Sequence, residues 1–465
     1  MSALLANLQG KKYAVLGLGR TGLSTARALK KAKVEVVVWD DHEEQRAAAQ
    51  RAKLELCTFE DNADFKGVEA LILSPGIPHN FPRPHPVVER ALSLEIPVIS
   101  DIELLRQLDP DTPLIGITGT NGKSTTTALV GHIMAQHRDT QIGGNIGVAV
   151  MDLKRPKKDG LLVFELSSYQ LELTPSLRPQ VSVLLNITPD HLDRHGGIEG
   201  YIAAKARIFD SRPQDEIPLA VICIDDENTA KIADELRASE AWTVITVAAM
   251  SERKADIIVE GGILKDARAE IEIDLNKNKR MGGVHNHQNA AAAYAALHYG
   301  FDLSAKDFES AYSKFEGLRH RQYLVRNING VPYVNDSKAT NAQASERALV
   351  SLRNIYWIVG GQPKEGGLDG LEQYSERIRH AFLIGESAEA FAKWMERNNI
   401  EFETAHTVDI AVAQAHQMAQ QRRGAPGGAG AVLFSPACAS FDQYKSFEQR
   451  GDHFEELVLK LEDDL

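Results

Sequence analysis

Short runs of β-branched and apolar residues alternate with helical stretches along almost the whole chain. In the first hundred residues the strand-like runs cover 13–16, 34–39, 70–73 and 97–100, and residues 21–31 are predicted to form the first crossover helix. This alternation is typical of parallel sheets that carry helices on both faces. The sequence therefore predicts an α/β fold.

The alternation restarts twice, which predicts three domains. A proline-rich stretch around Asp111 precedes a new strand at Leu114–Thr118, and an alanine-rich helix at 289–298 comes shortly before a second boundary at Gly317. Breaks of this kind in strand-and-helix series separate folding units. We expect a Rossmann-like N-terminal domain, a central P-loop ATPase-type domain and a Rossmann-like C-terminal domain, with the ranges 1–111, 112–317 and 318–465.

Composition excludes several classes of protein. The 465 residues include 52 Lys and Arg against 64 Asp and Glu, a formal charge of −12, which disfavours a general nucleic-acid binder. Three cysteines, Cys57, Cys223 and Cys438, are too few and too widely spaced for a disulfide framework or a zinc ribbon. No stretch approaches the roughly 18 apolar residues of a membrane span, and no secretory signal is visible. We expect a cytoplasmic protein with small-molecule ligands.

A first glycine-rich loop contains Gly17, Gly19 and Gly22, between a predicted strand and a predicted helix, and Asp40 closes the next strand. In a dinucleotide-binding fold such glycines let the backbone approach a pyrophosphate at the helix N-terminus, while the acid meets a ribose hydroxyl. A tight strand-to-helix turn explains the glycines equally simply. The loop does not say which nucleotide it binds.

A second loop, Gly119-Thr-Asn-Gly-Lys-Ser124, follows a strand and opens an apolar helix. Its backbone amides are suited to triphosphate oxygens, Lys123 to the β and γ phosphates, and the Ser124 hydroxyl to Mg²⁺. The spacing departs from the standard P-loop because Ile117 stands where the first glycine is expected. We interpret the loop as an ATP site.

Two acidic segments could complete a metal site beside this loop. Glu165 ends an apolar strand, and Asp190-His191 follows another. The carboxyl ends of parallel strands lie at the same edge of a sheet, which is where a second Mg²⁺ ligand is expected. Alternatively, an acidic residue at a strand end can form an ordinary hydrogen bond with a loop. His191 is the better candidate ligand, whereas we expect His195 to be structural.

Lys205 shares its predicted helix face with Tyr201, Ile208 and Phe209. On an apolar face a lysine loses its proton more easily, and the neutral amine can add CO₂ to give a carbamate that binds a metal. The sequence by itself favours the alternative, a lysine that extends its charged end into water.

Two asparagine-containing segments carry further candidates. Asn286 and Asn289 precede or open the alanine-rich helix and could face an adenine edge, but asparagine before a helix is more often a cap. The segment 335–341 offers Asp336, Lys338 and Thr340 together, or forms an Asx-type turn before a helix.

Taken together, these segments resemble the Mur ligase family. The resemblance rests on motifs in all three predicted domains, at 119–124, 165–170, 190–191, 204–205, 285–286, 317–321, 335–341, 435–440 and 449–451. This family shares the glycine spacing seen in the second loop. The resemblance implies an ATP-dependent ligase that adds D-glutamate to UDP-MurNAc-L-alanine through an acyl phosphate. We expect it to act as a monomer in the synthesis of peptidoglycan precursors.

The resemblance also implies a role for individual residues. The catalytic group would be Lys123, Glu165, His191 and Lys205. ATP would be bound by Gly119, Thr120, Asn121, Gly122, Lys123, Ser124, Thr125, Asn286, Asn289, Arg321 and Asp336. Two Mg²⁺ ions would be held by Ser124, Glu165, His191 and a carbamylated Lys205.

The two other substrates have implied sites of their own. The UDP-substrate would be bound by Gly19, Thr21, Asp40, Ser74, Pro75, Gly76, Asn145, Ser167, Gln170 and His191. D-Glutamate would be bound in the third domain, which closes over the site, by Lys338, Thr340, Lys364, Ser440, Phe441 and Phe447.

Two alternatives lie outside the ligase class. An NAD-dependent oxidoreductase would use the first loop and Asp40, but it leaves the second loop and Lys205 without a role. A nucleotide-binding regulator without turnover would keep both loops and tolerate loss of Glu165 and Lys205.

Overall fold

The computed structural model describes residues 2–210, 217–363, 366–424 and 430–462. The chain divides into two compact units, Met1–Phe315 and Glu316–Leu465. The described residues form three sheets of five, nine and six strands, covered by helices, so the α/β prediction is confirmed. Because two of the sheets share one compact unit, the domain boundaries at 111 and 317 stay predictions.

The first sheet is parallel. Its strands are β1 (Lys12–Leu16), β2 (Glu35–Trp39), β3 (Glu55–Leu56), β4 (Val68–Leu73) and β5 (Val98–Ile99), in the order β3-β2-β1-β4-β5. The helices around it are α1 (Ser2–Leu5), α2 (Arg20–Lys31), α3 (Glu43–Arg51), α4 (Pro86–Ser93) and α5 (Asp101–Leu108). Strand order reverses at β1, so the crevice beyond the carboxyl ends of β1, β2 and β4 is where such a sheet binds ligands.

The second sheet is mixed. Its strands are β6 (Leu114–Thr118), β7 (Thr140–Gly144), β8 (Leu161–Glu165), β9 (Val181–Leu184), β10 (Leu219–Cys223), β11 (Thr243–Ala248), β12 (Ile257–Glu260), β13 (Ile263–Asp266) and β14 (Ile271–Asp274). Strands β7-β8-β6-β9-β10-β11-β12 pair in parallel in that order, and the β12-β13-β14 end is antiparallel. Strand β6 therefore lies between β8 and β9, which brings three loops together at one edge.

Seven helices of this unit accompany the second sheet: α6 (Lys123–Met134), α7 (Ser168–Glu172), α8 (Leu192–His195), α9 (Ile198–Ala206), α10 (Glu227–Ser239), α11 (Val284–Phe301) and α12 (Ala305–Tyr312). The alanine-rich helix α11 is longer than its predicted range of 289–298. It is buried continuously from His287 to Leu297, because small side chains let it pack closely against the sheet on one side and its helix neighbours on the other.

The second unit holds the third sheet. Its strands are β15 (Tyr323–Ile328), β16 (Val331–Asn335), β17 (Ile355–Gly360), β18 (Ile378–Ile384), β19 (Phe402–His406) and β20 (Ala431–Phe434), in the order β15-β16-β20-β17-β18-β19. All neighbours pair in parallel except the β15-β16 hairpin. Its helices are α13 (Ala342–Ser351), α14 (Ala388–Arg397), α15 (Val408–Gln421) and α16 (Phe447–Leu459). Across the described part of the chain, every helix is too short or too polar to cross a membrane.

Candidate active site

The second glycine-rich loop joins β6 to α6 and is built as a phosphate-binding turn. Gly122 is the N-cap of α6 with φ of 84°, a conformation that favours glycine. A Cβ at this position would collide with the side-chain oxygen of Asn289 on α11. Glycine is therefore required both by the backbone and by the neighbouring helix.

Two lysines converge on this loop. The Lys123 amine donates to the carbonyl oxygens of Gly119 and Thr120, both at 2.8 Å, and the Lys205 amine donates to the same Gly119 oxygen at 2.8 Å. Lys205 on α9 is only 1% exposed, and its amine lies 4.5 Å from the centre of the Tyr201 ring. The alternative of a lysine that reaches into water is wrong.

Burial lowers the pKa of Lys205 well below its usual value, and the positive charge of Lys123 lowers it further. The carboxylates of Asp190 and Glu165 act in the opposite direction but do not outweigh burial. A neutral amine is the form that reacts as a nucleophile. The structure thus shows that Lys205 is buried in surroundings that favour its neutral amine, which the sequence pattern permitted but did not establish.

Glu165 is the last residue of β8, which pairs with β6, and only one of its two carboxylate oxygens has a hydrogen-bond partner. The Glu165 Oε1 atom accepts a hydrogen bond from the Asn145 amide at 2.8 Å, whereas Oε2 is buried with no hydrogen-bond partner. Burying a carboxylate oxygen without a partner is costly. An oxygen left in this way is suited to a cation.

Among the described residues, no three His, Cys, Asp or Glu side chains come together as a preformed metal site. Mg²⁺ does not require one, because it is often held by one or two protein oxygens together with water and substrate phosphates. Glu165 Oε2 and the buried Ser124 at the first turn of α6 fit that pattern. His191 lies near Tyr169 with its ring half exposed, and its Nε2 atom is 3.6 Å from Asp190.

Asn186, which follows β9, was missed by sequence reasoning. Its side chain accepts from the Asn121 amide at 2.8 Å and donates to the Asn121 carbonyl at 3.2 Å, and its own carbonyl accepts from the Thr120 amide. These bonds hold the backbone of the phosphate loop from outside. The available signal was a polar residue directly after a buried strand next to β6.

The two candidate adenine residues do not cap α11, because the N-cap is Gly283. Asn286 lies in the first turn and donates to the Gly282 carbonyl at 3.0 Å, while Asn289 is buried and lies against Gly122. The cap interpretation is therefore wrong for both residues. Asn289 belongs to the wall of the phosphate loop.

The first sheet gathers its predicted residues at the switch point. The Leu18 amide donates to Asp40 Oδ2 at 2.6 Å, and the Ser74 hydroxyl donates to the Gly17 carbonyl at 2.8 Å. Gly19 caps α2, which contains Thr21, and Pro75 and Gly76 follow Ser74 at the end of β4. The buried Asp40 carboxylate thus shapes the loop that carries the glycines.

The segment after β8 is stabilised by its own capping box. The Ser167 hydroxyl accepts a hydrogen bond from the backbone amide of Gln170 at 3.3 Å. In return, Gln170 Oε1 accepts from the backbone amide and from the hydroxyl of Ser167, both at 3.0 Å. Gln170 is buried. The structure therefore gives both residues a helix-initiating role, beyond the substrate role that the resemblance implies.

In the second unit, Asp336 follows β16 and Ser435 follows the adjacent β20. The Ser435 hydroxyl donates to Asp336 Oδ2 at 2.7 Å, and the Gln322 amide donates to Oδ1 at 3.1 Å. Burial raises the pKa of Asp336 to about 7, although its hydrogen bonds and the nearby Arg321 act to lower it. Asn341 is the N-cap of α13, as the turn interpretation of this segment predicts.

Arg450 forms hydrogen bonds with residues that lie next to those predicted to bind an amino acid. Its buried guanidinium donates to the carbonyls of Ser337, Cys438 and Ala439 at 2.8, 3.0 and 3.0 Å, and to the Ser337 hydroxyl at 3.1 Å. Burial lowers its pKa to about 10. Sequence reasoning saw the motif 449–451 but assigned no role to this arginine.

The remaining candidates of this unit differ in how deeply their side chains are buried. Lys338 has its amine 5.4 Å from the centre of the Phe447 ring, Ser440 is buried, and Phe441 is 68% exposed. Thr340 is half-buried just before α13. Lys364 lies outside the described residues.

Comparison with known proteins places this site in a family. Residues 117–297 match the Mur ligase middle domain, and residues 11–100 match the N-terminal domain of the MurD-like Mur ligases. A protein of Rhodospirillum rubrum named UDP-N-acetylmuramoylalanine–D-glutamate ligase is 45% identical over 461 residues, 97% of this chain and 95% of the relative. The protein of the same name from Phenylobacterium zucineum is 44% identical over 99% of this chain and 98% of its own length.

The chain therefore belongs to the Mur ligase family. Within that family it belongs with the UDP-N-acetylmuramoylalanine–D-glutamate ligases. This assignment confirms the resemblance seen in the sequence and replaces the oxidoreductase alternative that the first loop left open.

Solved structures share the fold at low identity. The UDP-N-acetylmuramate–alanine ligase MurC of Thermotoga maritima superposes with a TM-score of 0.58 and 17% identity, covering 97% of this chain and 99% of that one. Folylpolyglutamate synthase of Mycobacterium tuberculosis gives 0.55 and 16%, covering 76% and 93%. At such identities the likeness concerns the fold alone.

Proposed function

We propose that this chain joins D-glutamate to UDP-MurNAc-L-alanine at the expense of ATP, a cytoplasmic step in the synthesis of peptidoglycan precursors. In this proposal it acts as a monomer and binds neither nucleic acid nor a membrane. The proposal is supported by the family assignment together with a phosphate loop that two lysines and a half-satisfied carboxylate surround. The cytoplasmic location fits a chain with only three widely spaced cysteines.

The chemistry requires activation, because a carboxylate is anionic and offers no good leaving group. An oxygen of the alanine carboxylate attacks the γ-phosphorus of ATP, a P–O bond forms, and ADP leaves. The D-glutamate amine then attacks the acyl carbon and loses a proton, and phosphate leaves as the amide forms. Positioning and charge neutralisation supply most of the catalysis in such a reaction.

Residues 119–125 and Lys123 hold the ATP phosphates in this scheme. The loop leads into the N-terminus of α6, where the helix dipole favours anions. Asn286 and Asn289 contact adenine, and Arg321 and Asp336 are the further nucleotide contacts that the family resemblance implies. With its carboxyl pKa raised to about 7, Asp336 can donate as well as accept a hydrogen bond near neutral pH.

Two Mg²⁺ ions, when bound, neutralise the charge that moves between the transferred phosphate and its neighbours. Ser124 would hold one ion, and Glu165 with His191 would hold the other. Lys205 joins the second set as a carbamate, formed when its neutral amine adds CO₂ and releases a proton. The lowered pKa of Lys205 and its burial support this assignment, since both favour the neutral amine.

The other two substrates occupy separate parts of the chain. The 1–111 domain holds the UDP group through Gly19, Thr21, Asp40 and 74–76. Asn145, Gln170 and His191 contact the sugar side, and Ser167 is a further contact of the UDP-substrate. The 112–317 domain binds ATP. The 318–465 domain receives D-glutamate through Lys338, Thr340, Lys364, Ser440, Phe441 and Phe447.

The observation that carries the proposal is the meeting of Lys123 and Lys205 on Gly119, next to a buried Glu165 oxygen without a partner. The test is ATP-dependent phosphate release with UDP-MurNAc-L-alanine, with D-glutamate, L-glutamate, L-alanine and meso-diaminopimelate offered in parallel. Release with D-glutamate alone is expected. Release only with another amino acid would move the enzyme to another ligation step, and no release with any of them would overturn the ligase proposal.

A further inference from the structure

The loop that leaves β4, residues 74–85, is attached to the second sheet by side chains that the proposed chemistry does not use. We call residues 74–85 the substrate loop, because Ser74, Pro75 and Gly76 at its start belong to the proposed UDP site. The Arg194 guanidinium on α8 donates to the Gly76 carbonyl at 3.1 Å. The same guanidinium lies 4.6 Å from the centre of the Tyr169 ring on α7.

A second attachment centres on Glu172 at the end of α7. Its Oε2 atom lies 3.5 Å from His79 Nε2 on the substrate loop and 3.5 Å from His195 Nδ1 on α8. The oxygen is buried and makes no hydrogen bond, so these two contacts are its nearest charged or polar neighbours of the opposite kind. One carboxylate oxygen is therefore shared between two imidazoles from different parts of the chain.

His195 is itself held rigidly. Its ring stacks on Tyr169 with centroids 5.1 Å apart and planes 9° from parallel, and its Nε2 atom is 2.9 Å from the Ser168 hydroxyl. When the hydroxyl donates to Nε2, the Nδ1 atom carries the proton; it lies 3.5 Å from Glu172 Oε2, and both atoms are buried without a hydrogen-bond partner. The Glu172 carboxylate therefore lies between the two imidazoles, at 3.5 Å from a ring nitrogen of each.

Close packing reinforces these polar contacts. Gly196 follows α8 with φ of 69°, and a Cβ there would come within 2.8 Å of the Phe81 ring of the substrate loop. At the other end of the contact, the Ser100 amide donates to the Leu173 carbonyl at 2.9 Å, which ties the end of α7 to the first sheet. The substrate loop thus meets a fixed surface of the second sheet's helices.

We propose that Glu172 is a positioning residue that, through His79 and His195, fixes the substrate loop in the arrangement that binds the UDP-substrate. This inference rests on the proposed function. Neither imidazole belongs to the catalytic or substrate-binding residues proposed above, so we assign their effect to the placement of Ser74, Pro75 and Gly76. Positioning errors of about 1 Å cost large factors in enzyme efficiency.

The experiment compares Glu172→Ala, Glu172→Gln and His79→Ala with the wild type in the phosphate-release assay. Each substrate is varied in turn. We expect the KM for UDP-MurNAc-L-alanine to rise about tenfold in Glu172→Ala, and the KM for ATP to stay within about twofold. Glu172→Gln keeps an acceptor and should lie between. Glu235→Ala, an exposed glutamate on α10, is the matched control and should behave as the wild type.

The double variant His79→Ala with Glu172→Ala separates a shared contact from two independent ones. A shared contact predicts that the double variant is little worse than Glu172→Ala alone. Unchanged KM values in all variants, with only a lower melting temperature, would overturn the positioning role. So would equal rises of the KM for ATP and for the UDP-substrate. A wild type that turns over no UDP-substrate would instead count against the proposed function.

Discussion

The amines of Lys123 and Lys205 meet at one atom, the carbonyl oxygen of Gly119, to which each donates at 2.8 Å. One lysine opens α6 and the other lies near the end of α9, so only the packing of α9 against the phosphate loop unites them. The pair differs in burial: Lys205 is almost fully enclosed, whereas Lys123 is half-buried. Burial lowers the pKa of the enclosed Lys205 amine.

Replacing Lys205 by alanine should remove a metal ligand if the carbamate forms there. We expect Lys205→Ala to lower kcat by roughly 100-fold. Added formate or acetate should restore part of the activity, because a short carboxylate can stand where the carbamate did. Phosphate release with and without the added acid measures this, and Lys231→Ala, an exposed lysine on α10, is the control. Activity untouched by Lys205→Ala would remove the carbamate.

Gly122 and Gly10 form a matched pair of glycines that tests how the phosphate loop depends on its contact with Asn289. Gly122 and Gly10 have φ of 84° and 85°, but a Cβ at 122 meets Asn289 whereas a Cβ at 10 meets open space. Both alanine variants should lose about 1 kcal/mol of stability through the backbone. Only Gly122→Ala should weaken ATP binding, by about tenfold or more, since its loop and Asn289 must shift.

Titration calorimetry with ATP and Mg²⁺ measures the difference between the two glycine variants. Equal ATP affinity in Gly122→Ala and Gly10→Ala would show that the contact with Asn289 does not shape the nucleotide site.

Arg450 links the segments that carry the proposed D-glutamate residues. Lysine cannot reproduce the planar fork of a guanidinium, so Arg450→Lys leaves some of the carbonyls of Ser337, Cys438 and Ala439 without a donor. We expect the KM for D-glutamate to rise about tenfold, with a smaller change for UDP-MurNAc-L-alanine. Steady-state kinetics on Arg450→Lys and on the exposed control Arg423→Lys test this. A uniform rise for every substrate would argue for general unfolding instead.

Asp101, the first residue of α5, makes stability depend on pH. Burial raises its pKa to about 7, and Oδ1 has no hydrogen-bond partner. The folded state therefore holds a proton that the unfolded state releases near pH 4, so stability falls as pH rises from about 4 to about 7. Above and below that window this group contributes no slope.

Asp101→Asn keeps the shape and removes the titration. Its melting temperature, measured from pH 4.5 to 7.5, should fall less with rising pH than that of the wild type. Asp159→Asn, at an exposed position, should keep the wild-type slope. Identical slopes in the Asp101 variant and the wild type would show that this carboxyl is ionised in the folded protein.

The sequence determined the class of fold, the two glycine-rich loops and the family, because these depend on local patterns: the period of apolar residues, the glycines of a turn and short motifs in a fixed order. The family models that match residues 11–100 and 117–297 support the family assignment, while the domain boundaries at 111 and 317 stay predictions. The strand ends carrying Glu165 and Asp336 were also predictable, since parallel strands align their carboxyl ends.

The tertiary structure decided how each polar side chain is used. Lys205 was expected to reach water, yet packing of α9 encloses it; Asn289 was expected to cap α11, yet the helix begins earlier. Burial and hydrogen-bond partners come from segments far apart in sequence, as with Glu172 between His79 and His195. No local pattern encodes such a meeting, because it depends on how the two sheets and their helices pack.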